Sequence, residues 1–142
     1  PPAVHGKPHS AQEPHVAPHC RMADSVAMRD LQELKERMRA FVAERDWDQF
    51  HSPKNLAMAL SVEASELVEL FQWLTEQQSA APDEKLRRRA AEELADVLWF
   101  LVRIADRLDI DLLEAAESKF ARNAEKYPAE RVRGQSRKYD EY

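Results

Sequence analysis

The chain has 142 residues, a formal net charge of −5, 44% hydrophobic and 33% charged side chains, and only two glycines. This is one domain's worth of chain with a helical composition, and its acidity argues against binding a nucleic-acid polymer. The single cysteine, Cys20, excludes an intrachain disulfide, no run reaches the ~20 apolar residues of a membrane span, and no secretion leader opens the sequence, so the expectation is a cytoplasmic protein without membrane contact.

Residues 1–24 read as a disordered extension, vector-derived or upstream of a natural start at Met22-Ala-Asp-Ser. The first 21 residues hold five of the eight prolines and four of the five histidines, with almost no large apolar side chain. Such a segment cannot offset its ordering entropy by burial. Its repeated Pro-His pairs suit a flexible appendage better than a metal site. A helical domain is expected over 25–128, and a polar segment over 129–142.

The first predicted helix covers 28–45, with Leu31, Leu34, Met38, Phe41 and Val42 on one face. Residues 46–51 break the period and predict a loop. Ser52 as N-cap and Pro53 at the first helical position start the second helix, which runs to about 74. A polar link follows over 76–83, with Asp83 a candidate N-cap. The third helix covers 84–108 and the fourth 112–126, ending before Pro128. Four helices on short links, without strand-like alternation, predict an all-α four-helix bundle.

Two of these helices carry acids where leucines belong. The second has the stripe Leu56, Leu60, Glu63, Leu67, Leu70, Leu74, and the third has Leu86, Ala90, Glu93, Val97, Phe100, Ile104. Each stripe places an acid at its third position, and Glu66 and Asp96 follow three residues later on the same surface. Antiparallel packing through these stripes gathers four carboxylates. Such a group must be protonated or neutralised by cations. With no histidine or cysteine on either helix, the hard oxygen donors favour Mg²⁺, with Mn²⁺ as a substitute, over zinc or copper. The bland alternative is a pair of solvated surface motifs. Glu69 continues the Glu66 side and suits a supporting place, whereas Glu92 lies off the face as an ordinary surface acid.

Glu-x-x-Glu, 26 intervening residues and Glu-x-x-Asp resemble the all-α nucleoside triphosphate pyrophosphohydrolases of the MazG-like group, dCTP pyrophosphatase branch. Also similar are Ala43-Glu-Arg-Asp-Trp-Asp-Gln-Phe-His51 with Pro53-Lys-Asn55, and Glu-Leu-Phe-Gln-Trp ending at Trp73. Glu92-Glu-Leu-Ala-Asp96-Val-Leu, Ser118-Lys119, Asn123, Lys126-Tyr127-Pro128 and Ser136-Arg-Lys-Tyr139 complete the match, which covers about residues 28–140. The resemblance implies Mg²⁺-dependent hydrolysis of a deoxynucleoside triphosphate to the monophosphate and pyrophosphate. It implies a homotetramer built as a dimer of dimers. It also implies Glu63, Glu66, Glu93 and Asp96 as metal ligands and catalytic residues, and a C-terminal segment that folds over the site.

The same resemblance places Trp47 and Trp73 around the base and His51 near the pocket. By residue type, Lys119 and Lys126 suit the phosphates, while Asn123 and Tyr127 suit hydrogen bonds to the substrate. Each has a plainer reading. Trp73 ends an apolar stripe and suits a core position equally well, a lone loop histidine usually serves a local hydrogen bond, and Tyr127 serves as well to pack the last helix. Arg122 fits a solvated face, as do Arg87, Arg88 and Arg89. The third helix is apolar nearly all round, with Leu94, Leu98, Leu101 and Ala105 beside the first stripe and Trp99 and Val102 between, which predicts burial against another subunit. The rival readings are a non-catalytic helical assembly module and the same fold with dUTP or broad nucleotide selectivity.

Overall fold

In the computed structural model, residues 28–134 are described. The expected extension over 1–24 lies wholly outside them, and so do Ser136 to Tyr139 and the end of the C-terminal segment.

Helix α1 spans Leu31–Ala43. It starts later than the periodicity suggests because Asp30 caps it, accepting the Glu33 N–H at 2.8 Å. The chain then reverses through Asp46, at φ 52°, into a single 3-10 turn over Asp48–Phe50. Ser52 caps α2, Pro53–Phe71, by accepting the Asn55 N–H.

The expected polar link contains a helix the periodicity missed. Residues Glu76–Ala80 form α3, closed by a reciprocal capping box. The Thr75 hydroxyl accepts the Gln78 N–H at 3.2 Å, and the Gln78 side chain accepts the Thr75 N–H at 2.9 Å. Helix α4, Glu84–Arg107, begins on Asp83, whose carboxylate accepts the Leu86 N–H at 2.7 Å. Helix α5, Leu112–Lys126, begins on Asp111. Residues Ala129–Val132 form a last turn, α6, where no element was expected.

Every described element is helical, as predicted. Helix α2 packs most extensively against α4, and α1 packs on α4. His51, before α2, touches Arg103 late in α4, while Glu63 farther along α2 meets Glu93 earlier in α4, so the two helices run antiparallel. Met38 and Val42 of α1, Leu56 and Leu70 of α2, and Val102 and Ala105 of α4 are buried. The remaining seam residues (Leu60, Leu67 and Leu74 facing Leu86, Ala90, Val97, Phe100 and Ile104) are half-buried while their helical neighbours are largely exposed. The period therefore identified the seam side chain by side chain.

The protomer stays thin. Helix α5 buries none of its residues and packs extensively on no other element. The second α4 stripe is open at Leu94 (53% exposed), Leu98 and Leu101, though Ala105 at its end and the neighbouring Val102 are buried within the protomer, and Leu113 and Phe120 of α5 are exposed too.

Candidate active site

Three helical steps after Leu60, Glu63 occupies the α2 seam, and Glu66 follows on the same side one turn later. On α4 the same geometry sets Glu93 after Ala90 and Asp96 after Glu93. The antiparallel register brings the two motifs level. Glu63, Glu66 and Glu93 each offer a carboxylate oxygen, and these oxygens lie within 4.8 Å of one another. Asp96 stands outside that tight trio, but near enough for its charge to act on both Glu63 and Glu93.

Both seam carboxyls are held above the ordinary carboxylate range. For Glu63 the main cause is loss of hydration, followed by repulsion from Glu66, Asp96 and Glu93. For Glu93 it is again loss of hydration, then Glu66 and Asp96, partly offset by Arg89. Among the described residues no salt bridge involves any of the four acids. The cluster is thus negative and has no ion-pair partner among the described residues. Oxygen-only donors at this spacing fit a hard divalent cation, which would remove the repulsion outright.

Toward one end of the same helix pair lies an aromatic and basic wall. The Phe41 ring meets Trp47 edge-on at 5.9 Å and Trp99 at 5.4 Å, and the Arg45 guanidinium sits 3.5 Å over its face. Trp47 is left 44% exposed, a usable stacking surface. His51 is half-buried, and its Nδ1 accepts a hydrogen bond from Arg103 Nε at 3.2 Å. Burial first, then the Arg103 charge, holds the imidazole pKa below its ordinary value. Trp73 is 85% exposed, which disposes of the core reading within the protomer.

The residues of α5 are not gathered with these. Lys119, Asn123, Lys126 and Tyr127 lie on an exposed helix that no other element of the chain packs against extensively. The Tyr127 N–H closes α5 on the Asn123 carbonyl at 2.8 Å, and the Lys126 ammonium lies 5.8 Å from the Tyr127 ring centroid.

A second cluster escaped the sequence reading. Arg103 is 3% exposed, and its guanidinium meets Asp106 at 2.9 Å, Asp48 and His51. Asp106 is also gripped by Arg39 Nε at 3.0 Å, and Arg107 lies 3.6 Å from Asp48. The available signal was Arg103 and Asp106 at i, i+3 inside an otherwise apolar stretch of α4.

Residues 58–142 match the MazG-like family. The chain is 47% identical over 113 residues to dCTP pyrophosphatase 1 of Homo sapiens, covering 78% of this chain and 66% of that protein. It is 43% identical over 111 residues to dCTP pyrophosphatase 1 of Rattus norvegicus, covering 77% of this chain and 65% of that one. The aligned part therefore falls just short of two thirds of the length of these relatives. Among solved structures, a pyrophosphatase from Archaeoglobus fulgidus superposes with a TM-score of 0.67 at 36% identity, covering 72% of this chain and 95% of the other.

Proposed function

The chain belongs to the MazG-like family, and on that premise we propose that it hydrolyses dCTP, or a related base-modified nucleoside triphosphate, to the monophosphate and pyrophosphate with Mg²⁺. The observation that carries the reading is the trio Glu63, Glu66 and Glu93, whose carboxylate oxygens converge at the seam of α2 and α4. Relatives that carry the name dCTP pyrophosphatase 1 supply the choice of base.

Glu63, Glu66, Glu93 and Asp96 hold the ion, with Mn²⁺ able to replace Mg²⁺. When bound, the ion offsets the charge that develops on the phosphate oxygens. The chain's own groups do the rest. Glu66, the exposed member of the trio, accepts the proton of the attacking water. The water oxygen bonds to the α-phosphorus, the bond to the bridging oxygen breaks, and pyrophosphate leaves. Trp47 and Trp73 sandwich the base, and His51 holds its edge or the sugar. Lys119 and Lys126 neutralise the triphosphate, with Asn123 and Tyr127 donating hydrogen bonds.

A homotetramer, a dimer of dimers, completes the pocket. The open α4 stripe and the loosely held α5 both favour assembly, because α5 then brings its lysines to a neighbouring subunit's acids. No helix among the described residues is long and apolar enough to cross a membrane.

The test is a panel of nucleoside triphosphates incubated with Mg²⁺ or with chelator, reading pyrophosphate release. Metal-dependent release with dCTP or its base-modified analogues is expected, and no release from any nucleotide would defeat the proposal. Trp73→Ala should raise KM by roughly 5- to 100-fold, the worth of one stacked base, and change kcat little. A fall in kcat alone would assign Trp73 to packing instead.

A further inference from the structure

We propose that Arg103 is a positioning residue that fixes His51 as its Nε2–H tautomer, so that the imidazole meets the nucleotide as a hydrogen-bond donor. The proposal rests on the reading that His51 contacts the nucleotide, and deepens it.

A guanidinium has only donors and stays protonated. The ring atom it faces must therefore carry a lone pair, and that atom is His51 Nδ1, 3.2 Å from Arg103 Nε. In a neutral imidazole the proton then sits on Nε2. Arg103 cannot rotate away to accommodate the other tautomer. Its Nη1 is tied to Asp106 Oδ2 at 2.9 Å and its Nη2 to Asp48. Asp106 is itself held by Arg39 from α1, and the Arg103 side chain is only 4% exposed. The fork is locked on three sides.

The same arrangement resists a doubly protonated ring. Protonation would turn two N–H groups toward each other and set like charges in contact. The charged groups acting on His51 are Arg103 and Arg107 from α4, which oppose its protonation, and Asp48 from its own turn, which favours it. Asp48 is already engaged by both arginines. His51 therefore resists a second proton more than a free imidazole does. Its Nε2 makes no hydrogen bond among the described residues, on a half-buried ring at the end of the turn that carries Trp47. That leaves one N–H for an acceptor on the base or sugar, and makes His51 a poor partner for a ligand group that donates.

Arg103→Lys in the full chain tests this, because an ammonium on a flexible stem cannot hold all three partners. Long-range proton–nitrogen spectra report the tautomer, with His51 assigned by its loss in His51→Gln. In the unaltered protein His51 should carry its proton on Nε2 and titrate below about 6.5. In Arg103→Lys both tautomers should appear and the midpoint should climb toward about 6.5, with KM for dCTP up about fivefold, the worth of one hydrogen bond, and kcat nearly unchanged. A proton found on Nδ1, or an unchanged tautomer and midpoint in folded Arg103→Lys, overturns the proposal. Should Arg103→Lys lose its helical circular dichroism, Asp48→Asn decides. It removes the one charge that favours protonation, so the midpoint must fall further, and a rise overturns the idea. An altered tautomer with unchanged KM overturns the donor role and His51's place in the pocket, while metal-dependent pyrophosphate release stands or falls separately in the nucleotide panel.

Discussion

Glu63→Gln should lose metal-dependent turnover by at least about 100-fold, because the ion it is proposed to hold would supply several kcal/mol of charge stabilisation and each ~1.4 kcal/mol is a factor of ten. The same substitution should make the metal-free protein more stable. Glu63 has its folded pKa raised by burial and by three neighbouring acids. A carboxyl of that kind binds its proton more tightly in the folded chain, so metal-free stability falls as pH rises from about 4.5 through the raised value. Glutamine keeps the shape and removes the charge. Thermal melts in chelator at neutral pH should therefore place Glu63→Gln above the unaltered protein. With Mg²⁺ the order should reverse, since an ion at 100 times its Kd adds about 2.7 kcal/mol only where it binds. Near-normal turnover, or a variant that melts lower in chelator, would remove Glu63 from the site.

The second large effect belongs to Asp106. Its side chain is 6% exposed and pairs with Arg103, which is 4% exposed. Removing one member of a buried pair strands the other, and Asp106→Ala should cost about 3–5 kcal/mol in urea unfolding. The low end applies, because Arg103 keeps Asp48. Arg39→Ala, which deletes a partner 55% exposed, should cost no more than about 1 kcal/mol. Replacing Arg103 and Asp106 together by Met and Leu should cost less than Asp106→Ala alone, since no buried charge is stranded. The pH dependence has the opposite sign to that of the seam. Arg39 first, then Arg103, hold the Asp106 pKa below 3.8. Its contribution is complete above that value and is lost as pH falls through the folded pKa. A cost for Asp106→Ala no larger than that for Arg39→Ala would mean that losing Asp106 does not strand the buried Arg103 charge.

Much of the molecule is legible in its sequence, for identifiable reasons. The α2 and α4 stripes are visible because burial repeats at helical spacing, and an acid in such a stripe stands out against leucine. Ser52 and Asp83 mark helix starts because their short side chains take up the orphan N–H groups there. Helix α3 was missed because a five-residue helix has no apolar period, although Thr75-x-x-Gln78 was present as a capping box. Arg103 was missed for another reason. Its partners Asp48 and His51 lie some fifty residues away in the chain, and only the α2/α4 register joins them. The exposure of Trp73, too, depends on where α2 stops at Phe71, a boundary that periodicity blurs. Lys119, Asn123 and Lys126 illustrate a different limit. Their spacing shows a basic face on α5, but spacing along one helix does not encode what that face meets.

The carboxylates at mid-height of the α2/α4 seam have a consequence for how the molecule breathes. Leu56 and Leu70 clamp α2 on either side of Glu63, while the acids at the centre repel one another. Stability along this helix is then shaped like a dumbbell, firm toward its ends and weak in the middle. Amide hydrogens around Glu63 and Glu66 should exchange with solvent faster than those beside Leu56 and Leu70 in chelator, and the contrast should vanish with Mg²⁺. On the proposed reading, an ion site in a core seam would make the centre of a helix, ordinarily its most protected part, the place that registers whether the metal is present.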